Sequence, residues 1–303
     1  MNLCHRPILV FALLLTALPG ATHEARAQHP GSVTLTHVHG LAYSADGKQL
    51  MVPSHHGLAI YRDGTWSKAP GPAHDYMGFA AARTRLYSSG HPAPGSGLVN
   101  PFGLIRSGDG GKTWGKLSLE GESDFHLLAA SWNTNAVYVW NHERNSRMVS
   151  PGLYFTLNDG FMWQRAAAKG VSGAPRAIAV HPADSKIVAV ATDIGIYLSR
   201  NSGDSFEAIT GGARGLAVFF DLDGKQLWHS TYDGSPRLAR APLQGGANAP
   251  VTLPPMTNDA VAYVAQNPAA AGEYAIATFE RSVFVTRDSG RTWRQIARNG
   301  KGM

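Results

Sequence analysis

The sequence predicts an all-β fold, a six-bladed propeller, on three observations. One short motif returns at a fixed spacing, a second returns in phase with it, and no long helical periodicity interrupts them. The first motif reads Ser/Thr-x-Asp/Asn-x-Gly-x-Ser/Thr-Trp/Phe. It occurs at residues 107–114, 156–163 (with Met162 in the seventh place), 199–206 and 286–293. Its physics is local: the Asp or Asn accepts backbone N–H bonds inside a hairpin turn, the Gly takes a positive φ, and the aromatic packs between units. Asp109, Asn158 and Asn201 follow one another at one period, about 45 residues, and Asp288 comes after two. The missing copy falls around residues 240–245. Residues 61–66, Tyr-Arg-Asp-Gly-Thr-Trp, form a shortened first copy. Six units of four strands then fill residues 33–297, and residues 33–36 are placed to complete the last blade.

The second repeat opens each unit: His39-Gly-Leu-Ala, Met77-Gly-Phe-Ala, His126-Leu-Leu-Ala, Arg176-Ala-Ile-Ala, Arg214-Gly-Leu-Ala and Asp259-Ala-Val-Ala. Small residues in the second and fourth places suit a crowded innermost strand beside a central channel. Only 16% of residues are charged and glycine numbers 34, as many short strands and tight turns require.

The N-terminus has the layout of a secretory signal: Arg6, an apolar run over residues 8–18, and Ala25-Arg26-Ala27 as a small-x-small cleavage site. The run is too short to span a bilayer. We expect residues 1–27 to be removed, 28–32 to form a short leader, and 33–303 to form one propeller domain. The product would be a periplasmic or secreted monomer without a transmembrane anchor. The single cysteine, Cys4, lies in the signal, so the mature chain has no disulfide, thiolate ligand or thiol nucleophile. Net charge is +6 with lysines and arginines scattered, which argues against nucleic acid as a partner.

In a propeller the strand starts and the second-to-third strand loops share one face, and the third-to-fourth turns lie on the other. The first residue of each innermost strand therefore joins a ring at the channel mouth: His39, Met77, His126, Arg176, Arg214 and Asp259. His37 and His74 precede their strands on this face. Loops add His55, His56, His91 and His142, so blades one to three concentrate histidine there, while His29, His181 and His229 lie elsewhere. Imidazole with thioether suits copper, and imidazole alone suits zinc, nickel or copper. His39 and His126, with Met77 between them, head the ligand set. His37, His55, His56, His91 and His142 are further ligands or the groups that orient them. The competing reading has these histidines satisfying loop backbone groups beside a wet channel. Two loops on this face, residues 90–101 and 141–151, exceed an ordinary hairpin connection and are expected to cover or form a site, with Met148 a further soft donor.

Blades four to six carry different chemistry. Arg176, Arg214, Arg281, Asp193, Asp233, Tyr232, Asp259 and Glu280 approach the same mouth. Their guanidinium groups either bind an anionic ligand or neutralise Asp259 and Glu280 in an internal ion-pair network, the latter being favoured.

The repeated turn resembles the Asp-box (BNR) repeat of sialidase-type propellers, where such turns join the third and fourth strands. That resemblance implies a six-bladed fold and an exo-acting glycoside hydrolase as an alternative function. Arg176, Arg214 and Arg281 would then bind a carboxylate, with Tyr232 and Glu280 as nucleophile pair; for ordinary glycoside hydrolysis the two carboxylates would be Asp259 and Glu280. The first blade reads Thr36-His-Val-His-Gly-Leu-Ala-Tyr43, without the Phe/Tyr-Arg-Ile-Pro element of that family. As a whole the chain resembles exported bacterial propellers described as glycosyl hydrolase-like, sortilin-like or photosystem II assembly-factor-like. The stretches His37-Val-His-Gly, His55-His-Gly, Ser89-Gly-His-Pro and Asp124-Phe-His126 carry that resemblance. The leading expectation is an exported propeller that binds a transition metal, copper first, for metal handling or docking to a periplasmic protein. A non-catalytic interaction scaffold is the third reading.

Overall fold

The computed structural model describes residues 33–303, which form twenty-five strands in six antiparallel sheets. The expected signal and leader, residues 1–32, lie outside the described residues. Among the described residues no helix is long and apolar enough to cross a membrane.

Each sheet is a meander that runs outward from the channel. Blade 1 comprises β1 (Ala42–Tyr43), β2 (Leu50–Ser54), β3 (Gly57–Arg62) and β4 (Thr65–Lys68). Blade 2 comprises β5 (Asp75–Ala82), β6 (Arg85–His91), β7 (Leu104–Ser107) and β8 (Gly115–Ser118). Blade 3 comprises β9 (Leu128–Ala130), β10 (Val137–Asn141), β11 (Gly152–Thr156) and β12 (Gln164–Arg165). Blade 4 comprises β13 (Pro175–Val180), β14 (Val188–Thr192), β15 (Gly195–Ser199) and β16 (Glu207–Gly211). Blade 5 comprises β17 (Arg214–Phe220), β18 (Gln226–Tyr232), β19 (Pro236–Pro242) and β20 (Ala249–Pro250). Blade 6 comprises β21 (Val261–Gln266), β22 (Tyr274–Thr278), β23 (Val283–Thr286), β24 (Arg294–Arg298) and a fifth strand, β25 (Lys301–Gly302).

The N-terminal segment closes the ring on blade 6. Thr34 bridges Lys301, Leu35 N donates to Gly300 O at 2.7 Å, and Gly302 N donates to Val33 O at 3.1 Å. Residues 33–36 thus extend the outer edge of the last sheet before the chain enters the first. Trp66 Nε1 bonds Ile296 O at 2.7 Å across the same junction.

Each apolar core lies between two blades, because both faces of a radial sheet must be covered. Leu50, Val52, Ala277 and Ile296 fill the junction of blades 1 and 6, and Met51, Tyr76, Phe102 and Ile105 that of blades 1 and 2. Tyr87, Leu104, Val139 and Met148 fill the next, and the other three junctions follow the same plan. Small residues permit the close inner packing. A Cβ on Gly78 would stand 2.0 Å from Phe125 O, so only glycine lets β5 approach the entry to β9.

Four turns between third and fourth strands share one hydrogen-bond pattern. In blade 2, Ser107 Oγ donates to Asp109 Oδ1 at 2.8 Å and accepts from Gly111 N at 2.9 Å, while Thr113 N donates to Asp109 Oδ1 at 2.9 Å. Thr156/Asn158, Ser199/Asn201 and Thr286/Asp288 repeat it. These bonds hold the Asp109 carboxyl down at about 2, with Thr113 the largest cause. Blade 5 lacks the motif; its third strand continues to Pro242, so the turn falls at residues 243–248, a little later than the sequence suggested. Blade 3's turn also reaches sideways. Asp159, at φ 56°, accepts from Arg85 Nη1, Arg106 Nη1 and Tyr87 OH of blade 2, each at 2.6 Å.

Candidate metal centre

Three imidazoles meet where blade 1 begins. His37, at a bend, and His39 lie two residues apart ahead of β1 with their rings on one side, and His39 N is anchored to Pro53 O at 3.2 Å. The third ring comes from the β2–β3 turn, where Ser54 Oγ donates to Gly57 O at 3.1 Å and accepts from His56 N at 3.4 Å. That turn sends His55 inward and leaves His56 exposed. Ring centroids are 4.5 Å apart for His37 and His55, 4.9 Å for His39 and His55, and 5.8 Å for His37 and His39. One nitrogen from each ring lies within 4.8 Å of the others. Tetrahedral ligation at about 2.1 Å from an ion requires nitrogens about 3.4 Å apart, so a side-chain closure of at most about 1.4 Å suffices.

Asp75 supports the cluster from blade 2. Its Oδ2 accepts from His55 Nδ1 at 2.6 Å, which fixes the ring and directs Nε2 away from the carboxylate. Asp75 is aligned by the β5–β6 ladder, opposite His91, beside Gly90 at φ 145°; a Cβ there would lie 2.1 Å from Asp75 O. His39 Nε2 is buried without a hydrogen-bond partner. Burial first, and then the neighbouring His55, lower the His39 pKa to about 4, while Asp75 opposes the shift. At neutral pH this ring is therefore uncharged, and among the described residues no group hydrogen-bonds its Nε2. A buried orphan nitrogen beside a carboxylate-oriented imidazole fits a transition-metal ion.

The other expected ligands separate from this triad. His126 Nε2 lies 2.8 Å and His91 Nε2 3.2 Å from Asp124 Oδ2, forming a second group; His91 Nδ1 faces Asn100 Oδ1 at 2.7 Å. The bond to Asp124 raises the His126 pKa against the effect of burial, which favours proton over metal. The pairing of His39 with His126 expected from the ring of strand starts is therefore replaced by His39 with His37 and His55. Met77, half-buried, is the extra residue of the β5 bulge on the neighbouring blade. His142, exposed, lines the channel mouth, as do His39, His126 and Arg176. His74 is buried against Tyr76 and Phe102, and its Nδ1 accepts from Ala93 N at 2.8 Å, a packing role.

The long loops behave differently from a cover. Residues 141–151 fold down between blades 2 and 3: Ser146 N bonds Glu122 Oε2 at 2.7 Å, and Met148 is fully buried in the interblade core. Met148 is thus a core residue and not a soft donor. Residues 90–101 hold His91 toward Asp124 through Asn100.

The favoured ion-pair network of blades 4 to 6 is absent. Among the described residues no ion pair joins Arg176, Arg214 or Arg281 to Asp259 or Glu280. Asp259 Oδ1 instead accepts from the backbone N–H of Ala260 and Glu280 at 2.8 and 3.0 Å. Arg281 Nη1 donates to Thr36 O at 3.2 Å, Asp193 caps Ala174 N, and Asp233 pairs with Arg237. Arg214 sits opposite Tyr232 on adjacent strands, both exposed. Local backbone N–H groups thus engage Asp259 and Asp193, and a neighbouring arginine engages Asp233.

Sequence reasoning missed Asp75 and gave Asp124 no role of its own. The adjacent histidines draw attention away from Asp75, and only the β5–β6 register shows that it sits across from His91. Below the mouth lies a cavity of about 630 Å³ walled by the innermost strands.

Fold and site together define a six-bladed β-propeller with a three-imidazole cluster at its channel mouth. No protein-family model and no curated protein matches the chain. In structure it is similar to the GH74 enzyme of Niastella koreensis, with TM-score 0.59 and 16% identity over 88% of this chain and 46% of that one. It is likewise similar to an ancestral GH74 enzyme, with TM-score 0.56 and 12% identity over 89% and 40%. YCF48 bound to D1 peptide gives TM-score 0.49 and 18% identity over 89% and 84%. The chain spans less than half the length of the two GH74 enzymes, and at these identities they share its fold alone.

Proposed function

We propose that this protein binds one transition-metal ion, copper first, through His37, His39 and His55, as an exported metal-handling propeller. The carrying observation is the buried, unpartnered His39 Nε2 beside His55, whose ring Asp75 orients at 2.6 Å. Unstrained nitrogen donors without thiolate favour Cu²⁺ over Ni²⁺ and Zn²⁺ by the ordinary affinity order. Export rests on the signal-like N-terminus, and we read the four repeated turns as Asp boxes that serve as scaffold. The glycosidase alternative retains the shared fold, but Asp259 is engaged by backbone N–H groups and, among the described residues, neither Asp259 nor Glu280 pairs with an arginine.

The test is chelator competition with Cu²⁺ and Zn²⁺ on the wild type and on His39→Ala/His55→Ala. One tight equivalent, lost in the double variant, supports the reading. Binding that is weak and unchanged by the substitutions refutes it. A fluorogenic glycoside screen on wild type and Glu280→Gln addresses the alternative: turnover lost in the variant would restore it.

A further inference from the structure

We infer that the central channel binds a small amphiphile, an apolar body with a carboxylate head, and that the head completes the coordination of the ion at the histidine triad. This rests on the metal reading above. The channel's volume of about 630 Å³ lies within the range of small-molecule sites, which are mostly apolar with a few placed polar groups. Phe79, Trp132, Ile178, Phe219 and Leu222 contribute to the wall together with Tyr43, Tyr263 and Gln266, while the imidazoles of His39, His126 and His142 and the Arg176 guanidinium belong to the mouth.

Three features at that mouth specify the head. Three protein nitrogens leave an ion at least one open position, as in metal sites that bind an exogenous ligand. His39 alone of the triad lines the cavity, so it joins the ion to the channel. Arg176, exposed at the rim, has no ion-pair partner among the described residues and is available to an anion. A carboxylate fills the ion's open position, the Arg176 guanidinium adds positive potential from the opposite side of the channel, and an alkyl chain behind the head replaces water along the apolar wall. Phe279, 55% exposed, also lines the cavity and extends its apolar surface toward solvent.

The experiment titrates linear carboxylates from butanoate to decanoate into copper-loaded and metal-free protein by calorimetry. Each methylene should tighten binding about fourfold until the channel is filled. The loaded protein should bind decanoate at least tenfold more tightly than the metal-free form. Leu127→Glu places a charge on the half-buried wall and should abolish decanoate binding while copper affinity stays unchanged. Arg176→Gln, exposed and safe for folding, should weaken decanoate several-fold without altering the chain-length slope. Copper binding without chain-length dependence, or decanoate affinity indifferent to the metal, overturns this inference and leaves the metal site standing. Absence of copper binding overturns both.

Discussion

Replacing Asp75 with Asn tests the support of the metal centre without removing a ligand. The wild-type carboxylate accepts from His55 Nδ1 at 2.6 Å, and its other oxygen is buried without a partner. Asn matches the shape but removes the charge that makes His55 a stronger donor and holds its ring. Loss of such a supporting carboxylate lowers metal affinity by about 10- to 100-fold, equivalent to about 1.4–2.7 kcal/mol. Competition of Cu²⁺ against a chelator of known affinity reads this directly, with His56→Ala, the exposed neighbour, as a control expected to bind like wild type. The fold should persist, since Asp75 contributes mainly this one side-chain contact. An Asp75→Asn affinity within threefold of wild type would refute the reasoning.

Asp221, buried and accepting from Trp228 Nε1 and Tyr274 OH, has its pKa raised to about 6, chiefly by burial. A raised carboxyl favours the protonated fold, so its contribution is complete below about pH 4 and is lost as pH rises toward 6, by up to roughly 3 kcal/mol. Denaturant titrations of Asp221→Asn, whose amide oxygen keeps both donors, should lack that decline. His229 is buried with neither ring nitrogen partnered, and burial lowers its pKa to about 4. It destabilises the fold as pH falls from 6.5 toward 4; His229→Leu should remove this acid sensitivity and, by deleting unsatisfied groups, raise stability at pH 7 by about 1–3 kcal/mol. Asp159→Ala breaks three bonds between blades 2 and 3. With both arginines about a third exposed, the expected cost is about 2 kcal/mol by chemical denaturation. Gly78→Ala, whose Cβ would meet Phe125 O at 2.0 Å, should cost about 1–3 kcal/mol or more in the same assay.

The architecture was legible because its signals are local and repeated. Turn chemistry at Asp109, Asn158, Asn201 and Asp288 and the small-residue openings at Gly40 and Gly78 each report a blade's phase, and the phase alone gives six sheets. The face shared by the histidines followed from the same register. Their partition did not. Whether His39 meets His55 or His126 depends on how the β2–β3 turn presents His55 and on which carboxylate claims each ring, Asp75 holding His55 and Asp124 holding His126. Met148 was misread because a long polar loop looks external, whereas its apolar tip fills the gap between blades 2 and 3. The arginine and acid residues suggested pairing by composition, but the backbone N–H groups of Ala260 and Glu280 reach Asp259 first.

The most direct test of the account is a crystal of the copper-soaked protein measured at the copper absorption edge. We predict one anomalous peak about 2.0–2.1 Å from a nitrogen of each of His37, His39 and His55, a normal metal–imidazole distance, with His55 Nδ1 still held by Asp75. A peak centred on His91, Asp124 and His126, or no ordered peak at all, would contradict it.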